Sequence, residues 1–177
     1  MENDKVALVT GASAGIGAAI TEKLVKERRM RVVACARRLD LLKALKVSLG
    51  SEWVFAYKCD LIQVQEVAAM MKWIKMTFGR LDVVVNNAGV MNYGHMMEQC
   101  PRDWEVMVDL NFIAPSYITQ LTWPVMPDEG GDIIFVNSMA GHVENDNAMT
   151  TFYNATKYGL TALIDCWRQE VKYKYTI

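Results

Sequence analysis

Val6-Ala7-Leu8-Val9-Thr10-Gly11-Ala12-Ser13-Ala14-Gly15-Ile16-Gly17 decides the fold. Four apolar residues lead into a turn with three glycines, and apolar residues then recur at helical spacing (Ile16, Ile20, Leu24, Val25). A buried strand, a tight turn and a helix opening inside that turn form a βα unit. Its glycines let the backbone approach a phosphate closely, and the first N–H groups of the helix are free to hold one. The spacing is G-x-x-x-G-x-G rather than G-x-G-x-x-G, so strand and helix context must carry the reading.

Downstream the pattern repeats. Strand-like runs are expected at Lys5–Thr10, Arg31–Ala36, Trp53–Tyr57, Leu81–Asn86 and Asp132–Asn137. Helical periodicity covers Gly15–Arg28, Leu39–Leu49, Val64–Phe78, Asp103–Trp123 and Phe152–Tyr173, with Gly50 and Gly79 as stops. The strands are apolar throughout rather than at every second residue, which marks a parallel sheet covered on both faces. The expectation is an α/β, doubly wound, three-layer αβα fold with strand order 3-2-1-4-5. Polar His142–Thr151 lacks a period and reads as a loop.

With 177 residues, 52% of them hydrophobic and 22% charged, the chain suits one domain with a real core, residues 1–177. A net charge of −1 with interspersed signs gives no reason to expect nucleic acid or an anionic membrane as partner. No apolar run reaches spanning length, and Met1–Lys5 lacks a signal-peptide layout, so a cytoplasmic setting is expected. Cys35, Cys59, Cys100 and Cys166 are scattered and form no metal-ligand pattern. Cys35 and Cys59 read as small buried hydrophobes.

The second strand ends Ala36-Arg37-Arg38, without the carboxylate that would hold a bare ribose. Arginine there can pair with a 2′-phosphate, with Arg37 the first choice, which points to NADP(H). Asn86-Asn87-Ala88-Gly89 closes the fourth strand at the edge where open α/β sheets bind ligands. Asn86 there either braces neighbouring strands or touches a cofactor. Asp60 either meets adenine or caps the Val64 helix. Finally, Tyr153-Asn154-Ala155-Thr156-Lys157 puts a phenol and an ammonium on one helical face, i to i+4. A nucleotide cradle followed by such a pair argues for redox chemistry on a carbonyl or alcohol.

Taken in order, these stretches, with Asn111 and Asn137-Ser138-Met139-Ala140-Gly141, resemble the short-chain dehydrogenase/reductase family from Lys5 to about Lys174. Asn137-Ser138-Met139-Ala140-Gly141-His142 and Phe152–Tyr158 look like its NADP-dependent branch, which includes insect farnesol dehydrogenases and related ketosteroid reductases. The resemblance implies cofactor contacts at Gly11, Ser13, Ala14, Gly15, Ile16, Gly17, Arg37, Arg38, Asp60, Leu61, Asn86, Ala88, Gly89, Tyr153 and Lys157. It implies Tyr153 as acid/base, Lys157 on the nicotinamide ribose and beside the phenol, Ser138 on the substrate oxygen and Asn111 on a relay water.

One detail around Asn111 follows from the residues alone. Pro115 has no N–H to give the carbonyl four residues back, which is that of Asn111, so the carbonyl is left to accept from a water. Family members usually continue into a sixth strand, a Pro-Gly loop, a substrate lid and a seventh strand, whereas Tyr175-Thr176-Ile177 ends the sequence. Two readings result. One is an NADP(H)-dependent carbonyl reductase/alcohol dehydrogenase for a small apolar ketone or alcohol, with Met91, Tyr93, His95, Met96, His142 and Val143 as candidate pocket residues. The other is an inactive nucleotide-binding or interaction module. Trp104, Val108, Phe112, Ile118, Trp123, Trp167 and Val171 exceed what one helix face can bury, so a homodimer is expected.

Overall fold

A computed structural model describes residues 5–143 and 148–171. Five parallel strands stand in the order β3-β2-β1-β4-β5: β1 Val6–Thr10, β2 Arg31–Ala36, β3 Val54–Lys58, β4 Val83–Asn86 and β5 Asp132–Phe135. The expected order and the all-parallel pairing are both present. Every residue of β1 is buried, since alternate side chains serve opposite faces. Val6 and Leu8 join one core with Val67, Met70 and Ile74 of α3 (Val64–Phe78) and Ile118 of α5 (Ala114–Thr122). Ala7 and Val9 join the other with Val25 of α1 (Gly15–Arg28) and Leu42 of α2 (Leu39–Leu49).

Helix ends follow local chemistry. Gly79, at φ +72°, closes α3 in the left-handed region that an unbranched backbone enters without penalty. Arg29 closes α1 at φ +52°, its N–H donating to Val25 O while the Met30 N–H donates to Leu24 O. Buried Asp82, on the edge of β4, accepts the Val6 N–H at 2.8 Å and pins the start of β1.

The expected single helix from Asp103 to Trp123 is instead three pieces. These are α4 (Pro101–Val108), a π-helical turn (Asp109–Ile113) and α5. Ala114 N–H reaches back five residues to Asp109 O. Pro115 cannot supply the next donor of the ordinary ladder, so the widened register sits where the α-helical one breaks. The last helix, α6, runs Thr151–Val171, and the remainder of the expected span lies outside the described residues. Of the expected polar loop at His142–Thr151, residues 144–147 lie outside the description, Ala148–Thr150 form a short 3₁₀ turn and Thr151 already opens α6.

Candidate active site

The glycine turn is shaped by its lack of side chains. A Cβ on Gly17 would stand 2.5 Å from Gly11 O and 2.6 Å from Asn87 Nδ2. Gly11 and Gly15 have φ of +66° and +56°, and Gly15 faces open space. Ala14 at the start of α1 gives no side-chain cap, and the first turn holds no acid. Helix dipole and free N–H groups therefore face outward, uncompensated, as an anion site requires.

Behind the turn, Thr10 Oγ accepts from the N–H of Asn87 at 2.9 Å and of Ala88 at 3.0 Å. Asn87 Nδ2 donates to Thr10 O at 2.7 Å. Asn87 is thus the brace joining β1 to β4. Asn86 is buried with its amide nitrogen donating to Thr119 Oγ of α5 at 3.3 Å, a contact with a helix rather than with a neighbouring strand.

A 310 Å³ cavity runs along this edge past Gly11, Ser13, Arg37, Arg38, Asp60, Leu61, Ala88 and Gly89. Arg38 reaches across its mouth to Ser13 Oγ, at 3.0 Å from Nη2 and 3.3 Å from Nε. The first choice from sequence was Arg37, which is exposed on the same cavity; the guanidinium tied to the glycine turn is that of Arg38. Asp60 does not cap α3, which starts after an uncapped Gln63. Its carboxylate instead accepts the Ile62 N–H at 3.4 Å. Ala14, Ile16 and Gly17 lie outside the cavity wall, Gly17 buried beneath the turn.

The second group of residues hangs between β5 and α6. Lys157 is only 5% exposed, and its ammonium donates to Val136 O at 3.2 Å. Burial pushes its pKa below the usual lysine value. Its Nζ lies 5.8 Å from the centre of the Tyr153 ring. Asn111 is 1% exposed, and its side chain is fully used: Oδ1 accepts from Val90 N at 2.8 Å, while Nδ2 donates to Val90 O at 2.8 Å and Thr156 Oγ at 3.1 Å. Both N–H groups of the Asn111 amide are thus spent on protein partners, leaving its side chain no donor for a water. Gly89 joins the two groups, because a Cβ there would stand 3.2 Å from Asn111 Oδ1 and 3.9 Å from Lys157 Nζ.

Ser138 caps the short turn Met139–Gly141, accepting the Ala140 N–H at 3.1 Å, so its hydroxyl proton stays available. Ser138 and Tyr153 line one 290 Å³ cavity with Met91, Tyr93, Met139 and Asn154. Of the pocket residues expected from sequence, Met91 and Tyr93 are there, whereas His95, Met96, His142 and Val143 are exposed outside it. Loop Met91–Gln99 is held by Asn92 Nδ2 on Asp103 at 3.0 Å and by Trp104 Nε1 on Gln99 at 3.0 Å, and Trp104 stacks on Phe152 beside Tyr153.

Sequence reading passed over Asn137 and Thr161. Asn137 Nδ2 donates to Thr161 Oγ at 2.8 Å, and Thr161 Oγ donates to Gly141 O at 2.8 Å. The only signal was position: one beside Ser138, the other a helical turn beyond Lys157. Among the described residues no cluster of His, Cys, Asp and Glu could hold a metal, and no helix is long and apolar enough to cross a membrane.

Residues 5–177 match the family model of the short chain dehydrogenases. Dehydrogenase/reductase SDR family member 11 of Gallus gallus is 38% identical over 175 residues, spanning 95% of this chain and 68% of its own length. Farnesol dehydrogenase of Aedes aegypti is 35% identical, with 95% and 71% covered. The crystal structure of a metagenomic short-chain oxidoreductase in complex with NADP superimposes with a TM-score of 0.90 at 34% identity, covering 97% of this chain and 78% of that one. The chain thus spans about two thirds of the length of the curated relatives it matches.

Proposed function

Because the chain belongs to the short chain dehydrogenase family, we propose that it is an NADP(H)-dependent oxidoreductase acting on an apolar alcohol or ketone. One observation carries this reading: Ser138 and Tyr153 share a small cavity, with a buried Lys157 ammonium beside the Tyr153 ring. The cofactor fits the chain on geometry as well. An uncapped helix start, glycines that a Cβ would block, and two arginines on the adjoining cavity suit a pyrophosphate and a further phosphate. Gly11, Ser13, Ala14, Gly15, Ile16 and Gly17 would hold the pyrophosphate. Arg38, with Arg37 nearby, would take the 2′-phosphate; Asp60 and Leu61 would flank adenine, and Ala88 and Gly89 would line the path to nicotinamide, with Asn86 buried behind them.

When bound, the cofactor gives or takes the hydride. Tyr153 passes its phenolic proton to the carbonyl oxygen in reduction and takes it back in oxidation. The Lys157 ammonium favours the phenolate by charge and also binds the nicotinamide ribose. Ser138, its proton unspent on the turn it caps, donates to the same substrate oxygen. The Asn111 carbonyl seats a water through which Lys157 recovers protons. Methionine and tyrosine walls favour a neutral, apolar substrate of variable shape. The test is consumption of NADPH by the purified protein with a panel of neutral ketones. Absence of turnover with every ketone and alcohol, despite NADPH binding, sinks this reading in favour of an inactive nucleotide-binding module.

A second feature supports association with another copy. Tyr117, Trp123, Trp167 and Val171 line a 630 Å³ groove between α5 and α6, while Ile118, counted from sequence among the surplus, is buried. A two-fold contact would cover that face, giving a homodimer. Light scattering checks it; a monomer mass that does not change with concentration removes it.

A further inference from the structure

We infer that Asn137 and Thr161 are positioning residues that set Ser138 and Lys157 against Tyr153, an inference that rests on the hydride-transfer reading. Ser138 belongs to the turn after β5, Tyr153 and Lys157 to α6, and strand and helix reach each other by different routes. Something must fix the distance between them.

The contacts that do so form a closed chain. Asn137 Nδ2 donates to Thr161 Oγ at 2.8 Å and reaches Lys157 O at 3.4 Å. Thr161 Oγ donates to Gly141 O at 2.8 Å, with Lys157 O a longer alternative acceptor at 3.1 Å. Gly141 N–H then donates to Ser138 O at 3.0 Å, and Ala140 N–H to Ser138 Oγ at 3.1 Å. One hydroxyl on α6 thereby holds the far end of the turn whose near end aims the Ser138 hydroxyl.

The seam is also closed sterically. Gly141 is buried, and a Cβ there would stand 2.6 Å from Lys157 O. The turn lies directly on the helix backbone at the residue that carries the ammonium. Val136, next to Asn137, gives the carbonyl that holds Lys157 Nζ at 3.2 Å. Both ends of Lys157, its main-chain oxygen and its ammonium, are therefore fastened to the two residues, Val136 and Asn137, that lead to Ser138. Neither Asn137 nor Thr161 lines the cavity with Tyr153, so neither touches the reacting atoms.

Thr161→Val keeps the shape and removes the hydroxyl, whereas Thr161→Ser keeps the hydroxyl. In the valine variant, kcat for ketone reduction should fall about tenfold or more, with KM for the ketone changing less, because misplacement by about 1 Å can cost about 100-fold. NADPH dissociation constants, read by fluorescence titration without turnover, should rise about threefold to tenfold as Lys157 loses a hydrogen-bonded anchor. Thr161→Ser should restore both, and Asn137→Ala should reproduce the valine pattern. The inference is overturned if valine and serine variants bind NADPH alike, or if the valine variant only melts earlier while kcat holds at a permissive temperature. Lack of turnover in the unmodified protein counts against the hydride-transfer reading instead, and the NADPH arm still decides this one.

Discussion

The centre of the sheet, at β1 and β2, and its β5 edge build their sites from different material. Around β1, α1 and β2 the work is done by backbone: glycines at positive φ, an uncapped helix start, and strands buried along almost their whole length. Around β5 and α6 it is done by side chains, namely Ser138, Lys157, Asn111, Asn137 and Thr161, linked by hydrogen bonds across three elements. β5 itself is half open, with Asp132 and Ile134 exposed and Ile133 buried. A backbone site fails when an atom is added; a side-chain site fails when one is removed. The sharpest tests of the difference are single atoms of each kind.

The largest effect should come from one oxygen at the β5–α6 end. Tyr153→Phe deletes the hydroxyl that would trade protons with substrate, a contribution worth about 10²–10⁴-fold in rate. NADPH affinity should barely move, because the phenol oxygen belongs to the substrate cavity. Single-turnover kinetics beside a fluorescence titration separate the two. Turnover retained within about tenfold of the parent would remove Tyr153 as the acid/base and blur the division between the two sites.

At the β1–β2 site, charge is next. Arg38→Glu removes a guanidinium already anchored on Ser13 and puts a carboxylate by the same cavity. One charge-assisted hydrogen bond to a 2′-phosphate is worth ~1.5–3 kcal/mol, so preference for NADPH over NADH should drop about tenfold to hundredfold. Arg37→Glu should change the ratio less, through field alone. If the two substitutions rank the other way, the Ser13 contact is incidental and Arg37 is the reader.

Legibility in the sequence follows the same division. The strands and helices themselves, the glycine turn and the Tyr153/Lys157 pair are written as local patterns: apolar runs, turn residues, and an i to i+4 spacing. What was not legible depends on atoms far apart in sequence. Asn137 and Thr161 are separated by 24 positions and met only when α6 crossed the end of β5. The choice between Arg37 and Arg38 turned on which side chain bends back to Ser13, 25 positions earlier. The π-helical turn was half visible: Pro115 announced a missing donor, but not that the chain would widen its register upstream.

A methyl group tests the backbone end. At Gly17 an added Cβ meets the carbonyl oxygen of Gly11 at 2.5 Å, and a backbone atom cannot swing aside as a side chain would. Gly17→Ala should therefore cost ~1–3 kcal/mol of stability and weaken NADPH binding as the turn shifts. Gly15→Ala is the control: it meets nothing within 4 Å, and its cost is confined to its φ of +56°. Equal melting points for the two variants would mean that conformation, not crowding, governs the cradle.

The smallest expected effect concerns Lys157, and it runs opposite to its effect on function. Burial lowers its pKa in the folded protein, so the unfolded chain binds the proton more tightly than the native one. Below the depressed folded value both states are charged, and the native state carries the full cost of a buried ammonium. As pH rises from that folded value towards the unfolded one near 10.5, the unfolded state holds more protons and stability increases. Lys157→Met removes the charge and keeps the length of the stem, though it leaves Val136 O without its donor. At neutral pH the variant should melt no lower than the parent, and any advantage should shrink as the pH approaches 10. It should also lose NADPH affinity and turnover together, since one ammonium serves ribose and phenol. A variant that melts much lower at neutral pH would show that the Val136 contact outweighs desolvation, making Lys157 a structural brace of the β5–α6 end as well as its charge.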